Sequence, residues 1–306
     1  MPGAYAHITL VNEAADARTL RRAKFPHEVV QAIQRRLKFA ELGAVSPDYP
    51  YLNFPPSDAK RWADEMHYHS TDGVIRAAIP RIIALTGDAR EKAIAWIFGY
   101  VSHVVGDVTI HPVVELKVGE YATHQRAHRV CEMNQDVYIF RRLNIASIQL
   151  AEHLDSGIKS CVADDGTFDA DIRGLWRDAL RETYPALFSE IEPEPSDWHS
   201  GFGLIVDKIA EEGGRLLAFA RHVLPNDPGV AYPIEEDRKE YIDKLNTPAG
   251  ELSYDEVFDR AIQNVQTAWN WLAKAIVDKN SNALNNLGSW NLDTGRDSSG
   301  KLVMWG

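Results

Sequence analysis

Apolar residues recur along this chain at helical spacing, and nowhere do they alternate convincingly with polar ones as a strand requires. Helices are predicted over residues 7–22, where Ile8, Leu10 and Val11 are apolar, and over 26–40. In the second, Val29, Val30, Ile33 and Leu37 share one face while Arg and Lys take the other. Gly43 is placed to end it. The stretch GAVSPDYPYLNFPPSD holds four prolines and is expected to be an ordered or extended loop. Further helices are predicted over 59–69, over 73–85 despite Pro80, and over 89–110 behind an Asp88 cap. Pro112 disfavours helical geometry for the residue before it, so His111 is expected just past the last turn. Residues 118–153 lack Gly and Pro after Gly119 and read as one long helix, followed by helices over 169–188, 204–223, 235–245 and 253–277. Ser253 and Glu256 match a capping box. Residues 151–168 form a polar connector and 191–203 a proline-rich loop. The tail, 281–306, is rich in Asn, Gly and Ser and irregular, but Trp290 and Trp305 imply that it packs on something. The expected architecture is therefore all-α, a single multi-helix domain over 1–306. Residues 1–155 form its core and 156–280 add helices, and a boundary, were there one, would fall near 155–168.

One stretch breaks the ordinary rules of a buried helix. AIAWIFGYVSHVVGDVTIHP carries His103, Asp107 and His111 in an apolar run, and THQRAHRVCEMNQD carries His124, His128, Glu132 and Asp136. Imidazoles and carboxylates are costly to bury without partners. On a helix, residues four apart stand one turn above each other on one face. His103 with Asp107, and His128 with Glu132, can each close on one ion, and such donors suit zinc at about 2.0–2.2 Å. Either pair alone could equally be a buried His–carboxylate hydrogen bond. Two pairs in neighbouring segments, with His111 between them, favour a divalent metal.

Composition changes this picture little, but it bounds the partners. The chain has 306 residues, 45% hydrophobic and 25% charged, enough for a sizeable core. Its net charge of −11 disfavours general adhesion to nucleic acid or anionic membrane, both polyanions. Two cysteines, Cys131 and Cys161, give neither a disulfide framework nor a thiolate zinc motif. Cys131 is expected to be a small buried apolar residue. The N-terminus lacks a signal-peptide pattern, and the longest apolar run, Ala93–Val105, is too short to span a bilayer. A soluble, cytoplasmic protein is expected; leaderless export leaves no signal in a sequence.

Other candidates lie outside that stretch. Asp48 sits between two prolines in SPDYP, where an Asx turn is the plain alternative. His67 and His69, two apart on a helix, point in different directions, so at most one faces a common centre. His124 is placed to be a ligand, a supporting group or a phosphate donor. Asp136 is placed to orient a ligand from behind or to pair helices. His27, His153, His199 and His222 are scattered and carry no assigned chemistry. Phosphate-binding loops and a serine nucleophile elbow are absent.

Taken together, His7, SPDYP, WADEMHYH, SHVVGDVTIHP and HRVCEMNQD resemble the bacterial zinc-dependent phospholipase C family, whose fold is shared with S1/P1-type nucleases. The order and spacing match over roughly residues 1–150, and H-x3-D…H…H-x3-E is the specific part. The resemblance implies an all-α fold around two or three zinc ions. Asp48, His67, His103 and Asp107 would hold one, and His111, His128 and Glu132 a second. His7, the N-terminal backbone and a bridging Asp107 would hold a third. Asp48 would also be the general base acting on water. Secreted members begin with a metal-binding Trp, whereas this chain begins Met-Pro-Gly; the Asp107–His111 spacing is two residues shorter; and no C-terminal β-sandwich is visible. These departures argue for an intracellular branch.

The expected activity is hydrolysis of a phosphodiester or phospholipid-like small substrate, without stable nucleic-acid binding. An S1/P1-like nuclease, or another phosphoesterase, is the alternative within the same chemistry. A nuclease needs an aromatic stacking platform, for which Tyr49, Tyr51, Phe54, Trp62 and Tyr68 are available, although core packing suits most of them. A non-catalytic metal-stabilised helical scaffold is the alternative from another class. Nitrogen and oxygen donors alone do not separate zinc from iron or manganese.

Overall fold

The computed structural model describes residues 3–52, 58–143, 153–211 and 239–306. Their regular structure is helical apart from one short hairpin. The organising element is a 32-residue helix, Gly87–Val118 (α7 in the order below), whose residues from Ala93 to Val114 are all buried. By length and composition α7 could cross a membrane, but its apolar window lies wholly inside the protein. It is a core helix, and helices from both the N-terminal and the C-terminal half pack against it. The buried apolar side chains from Ala4 to Trp305 form one contiguous cluster.

The N-terminal segments are shorter than their periodicity predicts. Residues 7–22 are two helices, α1 (Ala4–Ala14) and α2 (Ala17–Arg22). Asp16 breaks the run, because its carboxylate accepts from the Thr19 amide at 2.8 Å and starts a new helix. Residues 26–40 also divide, at Arg36 (φ −120°), into α3 (His27–Arg35) and α4 (Leu37–Val45). Gly43 lies inside α4 and does not cap a helix. It faces Gly99 of α7: a Cβ at Gly43 would stand 2.0 Å from the Trp96 carbonyl, and one at Gly99 would stand 1.9 Å from that of Ala40. The pair is there for a close backbone crossing. The proline-rich stretch continues α4 as a 3-10 turn, Ser46–Leu52, which carries Asp48.

α5 (Lys60–Tyr68) and α6 (Gly73–Ala84) follow as predicted, with Pro80 inside α6. In α7, Thr86 occupies the N-cap position, and Asp88 sits in the first turn, where it pairs with Lys92 at 2.9 Å. The helix does not stop at His111. It runs through Pro112 to Val118, because tertiary packing on every side outweighs the missing amide at one position. α8 (Tyr121–Phe140) is kinked at His124 (φ −127°, ψ 29°), and the predicted continuation over 144–152 lies outside the described residues.

The C-terminal half shows more differences. Pro185 starts a new helix, so the predicted 169–188 becomes α9 (Ala170–Thr183) and α10 (Pro185–Glu190). The expected loop 191–203 is helical from Pro195 in α11 (Pro195–Glu211), since proline is tolerated in the first turn, where no amide partner is needed. The predicted helix 204–223 lies outside the described residues beyond 211, as does the start of 235–245. The remainder of that second segment holds a single 3-10 turn and no α-helix. After a turn at Lys239–Tyr241 it forms β1 (Leu245–Thr247), antiparallel to β2 (Gly250–Leu252), with Leu245 opposite Leu252. Three-residue strands are too short for alternation to reveal them. Ser253 then caps α12 (Tyr254–Val277) in the expected capping box. The tail folds back on α7: the Trp305 Nε1 donates to the Thr109 carbonyl at 2.9 Å, and Trp290 is buried.

Candidate metal centre

Because α7 continues through Pro112, His103, Asp107 and His111 stand on one face one turn apart, all buried. The α4–α7 crossing brings the Ala44 carbonyl to 2.8 Å from His103 Nδ1. The 3-10 turn beyond α4 then delivers Asp48. From α5, His67 places Nδ1 2.6 Å from the Ala63 carbonyl. Its Nε2 lies 3.5 Å from Asp48 Oδ1, 3.9 Å from Asp107 Oδ2 and 3.4 Å from His103 Nε2. From α1, His7 stacks on His103 with ring centroids 4.0 Å apart, and its Nε2 lies 3.2 Å from Asp107 Oδ1. His103 Nε2 is 3.4 Å from Asp107 Oδ2. Among the described residues, His7–His103–Asp107 and Asp48–His67–His103 each bring one donor atom within 4.8 Å of the others. His103 belongs to both groups but offers only Nε2, so the two groups describe one convergence.

A second arm joins α7 to α8. His111 Nε2 is 3.9 Å, and His128 Nδ1 3.7 Å, from the same Glu132 oxygen. His111 Nδ1 hydrogen-bonds to the Leu292 carbonyl, and His128 Nε2 lies 2.5 Å from that of Gly119. Tyr121 packs edge-on against the His128 ring at 5.4 Å.

The ring contacts share one logic. A carbonyl only accepts, so the nitrogen facing it carries the proton. In His67, His103 and His111 that nitrogen is Nδ1, which leaves Nε2 as the inward donor atom; in His128 the roles are reversed. Both nitrogens of His7, both oxygens of Asp48 and Asp107, and Nε2 of His111 are buried without a hydrogen-bond partner. Burial pushes His111 down to about 4. Burial also lowers His7, assisted by its neighbour His103. For His103, burial is outweighed by Asp107 and Asp48, which raise it. Burial would raise Asp107, but His103 and His111 hold it well below the carboxylate range. Burial would likewise raise Asp48, but His67 and His103 hold it low. Among the described residues the centre thus gathers ionised carboxylates and lone-pair nitrogens with few cations to balance them. Leaving such atoms unpaired costs several kcal/mol each, roughly. Nitrogen and oxygen donors in this number fit a divalent metal such as zinc.

Other sequence candidates fall elsewhere. His69 is exposed and pairs with Glu65 at 3.2 Å. His124 is exposed at the α8 kink, where its Nδ1 meets Thr123 Oγ1 at 2.8 Å. Asp136 is buried and accepts from the Ala6 amide at 3.0 Å, capping α1 from a different helix. The N-terminal backbone expected in a third site lies outside the described residues, as do Phe54 and His222. Tyr49 and Trp62 are core residues. Sequence reasoning missed the tail: Leu292 touches two of the histidines, and only Trp290 and Trp305 hinted that it packs.

A buried cluster of imidazoles and carboxylates, assembled by helices around a central helix, defines an all-α metal-centre protein. The model of the zinc-dependent phospholipase C family matches residues 6–186, more than half of the chain, and the chain belongs to that family. The match runs past the last of the motifs, which ends at Asp136, into α10. No curated protein and no solved structure matches the chain. The protein is accordingly a zinc-dependent hydrolase of phosphoric ester bonds.

Proposed function

We propose that this centre holds two or three zinc ions and hydrolyses a phosphodiester of phospholipid type. Asp48, His67, His103 and Asp107 would hold one ion, His111, His128 and Glu132 a second, and His7 with Asp107 part of a third. The observation that carries the reading is the convergence of buried donor atoms without hydrogen-bond partners on Asp48, Asp107, His7 and His111. Bound zinc supplies Lewis acidity toward phosphoryl oxygens and lowers the pKa of water.

The chain's own residues do the rest. Main-chain carbonyls of Ala63, Ala44, Leu292 and Gly119 hold four rings in the orientation that leaves a lone pair inward. Asp48 stays ionised, and one of its oxygens can take the proton of a water whose oxygen bonds to phosphorus; as the bond from phosphorus to the leaving oxygen breaks, that proton passes to this oxygen and the product departs as the alcohol. Apolar surroundings keep bulk water from screening these charges. The net charge of −11 opposes a polyanionic substrate and favours one phosphodiester group at a time.

The test is elemental analysis of purified protein, followed by two assays with and without chelator: release of a phosphorylated headgroup from a phosphatidyl lipid, and cleavage of a single-stranded oligonucleotide. Two to three zinc ions per chain, chelator-sensitive headgroup release and an intact oligonucleotide are expected. Absence of zinc, or release indifferent to chelator, overturns the reading. Oligonucleotide cleavage in place of lipid cleavage moves the substrate to nucleic acid.

A further inference from the structure

We propose that the C-terminal segment Trp290–Gly295 is a positioning strap for the metal centre, so that zinc occupancy and docking of the strap stabilise each other. The inference rests on the zinc reading above. Leu292 is fully buried and uses both of its backbone groups on metal-centre histidines that sit on different helices. Its amide donates to the His67 carbonyl at 3.0 Å, one of the acceptors that the end of α5 leaves without a helical partner. Its own carbonyl accepts from His111 Nδ1, which fixes the tautomer and turns Nε2 toward Glu132. One residue thereby sets the distance between α5 and α7 at the level of the centre.

The strap is pinned on both sides of Leu292. Thr71 Oγ1 accepts from the Trp290 amide at 2.8 Å and donates to the Trp290 carbonyl at 2.9 Å. The Tyr68 hydroxyl donates to Asp293 Oδ2 at 2.6 Å. Gly295 (φ +66°) lies against α7 where Pro112 offers no amide to Val108: a Cβ there would stand 2.5 Å from the Val108 carbonyl and 2.6 Å from Pro112 Cγ. Pro112 and Gly295 are therefore complementary, and the proline that local rules read as a helix end is a docking point. The family match ends at residue 186, so the strap lies outside it. A group that binds only the arrangement with His111 turned inward must also favour the docked strap, by linkage.

The experiment uses the full chain. Hydrogen exchange of the amides of residues 290–295 is measured in chelator and after zinc is restored. Restored zinc should slow exchange by about tenfold or more. In parallel, Gly295→Ala should weaken zinc binding by about 10–100-fold, the usual cost of disturbing a group that holds a ligand. Gly166→Ala carries similar backbone strain (φ +80°) with nothing within 4 Å, and should bind zinc as the wild type does. Should Gly295→Ala fail to fold, Thr71→Val loosens the same strap at Trp290. A purely structural tail would lower thermal stability in these variants without moving zinc affinity. Exchange indifferent to zinc, or wild-type zinc affinity in the strap variants, overturns the inference and leaves the zinc reading standing. A wild-type protein that binds no zinc removes both.

Discussion

Histidine is buried in two parts of this protein, and the two parts treat it in opposite ways. His199, on α11, accepts from the Tyr49 hydroxyl at 3.2 Å on Nδ1, faces the Lys159 carbonyl at 3.2 Å with Nε2, and stacks on Phe168. Both of its polar atoms are satisfied by the protein, so it is a core residue that happens to be polar. At the metal centre each ring of His67, His103, His111 and His128 spends one nitrogen on a carbonyl and turns the other toward carboxylates. His7, Asp48 and Asp107 lack hydrogen-bond partners. Burial alone therefore does not mark function. The mark is a polar group whose hydrogen bonding is left incomplete by a structure that completes it elsewhere. Asp48 and Tyr49, neighbours in one 3-10 turn, belong one to each region.

The largest expected effect tests the incomplete side. Asp107 faces His7, His67 and His103, so Asp107→Asn removes the charge shared by most of the centre. Zinc content should fall by at least one ion per chain. Phosphodiester hydrolysis should fall by at least about a hundredfold, since disturbing groups that merely support a ligand already costs 10–100-fold. His199→Gln, in the satisfied region, should keep its zinc. Equal zinc in wild type and Asp107→Asn, by elemental analysis, would end the distinction between the two regions.

How far the sequence revealed this division follows from its physical causes. The helical period made His103–Asp107 and His128–Glu132 legible, because a four-residue spacing means one face wherever the helix is long. The all-α class was legible for the same reason. His111 was displaced from its stripe by a local rule about Pro112, which the packing of α7 overrules. Gly43 has the composition of a cap and the function of a helix crossing, and nothing local separates the two. The atoms that orient the rings are backbone carbonyls of Ala44, Ala63, Gly119 and Leu292, which have no side-chain signature. The tail has neither period nor motif, so its contact with His67 and His111 is a tertiary fact. Asp136 had the spacing either of a ligand-supporting group or of one that pairs helices, and the structure uses it in the second way, to cap α1 from α8.

The next effect is the share of the pH dependence that the satisfied side contributes. Burial lowers His199 from 6.5 to about 4. Below pH 6.5 the unfolded chain therefore binds a proton that the folded chain refuses, and stability is lost as pH falls from about 6.5 toward about 4. Fully developed, that loss is about 3 kcal/mol. His199→Gln keeps a donor and an acceptor but does not titrate there. Denaturant unfolding of both proteins in chelator, at pH 7 and near pH 4.5, should show the variant falling less steeply with acid. Parallel losses would mean that His199 is protonated in the folded state and that the region is not closed to charge.

The smallest effect tests whether the two regions are independent. Tyr49→Phe removes the hydroxyl that donates to His199 Nδ1 and leaves a buried acceptor without its partner, which costs about 1 kcal/mol. Asp48 is the adjacent residue, yet its turn is held separately. Ser46 Oγ donates to the Leu42 carbonyl at 2.8 Å and accepts from Trp96 Nε1 at 2.9 Å, both on the α4–α7 side. The disturbance should therefore stop at the turn: zinc content unchanged, and hydrolysis reduced by no more than about a few-fold. A double-mutant cycle of Tyr49→Phe with His199→Gln should show coupling of about 0.5–1.5 kcal/mol, because the two groups share one hydrogen bond. The corresponding cycle with Asp107→Asn should give stability changes that add within about 0.5 kcal/mol. If Tyr49→Phe instead costs zinc, the 3-10 turn transmits strain from one region to the other. The satisfied histidine would then have to be counted among the groups that set the position of Asp48.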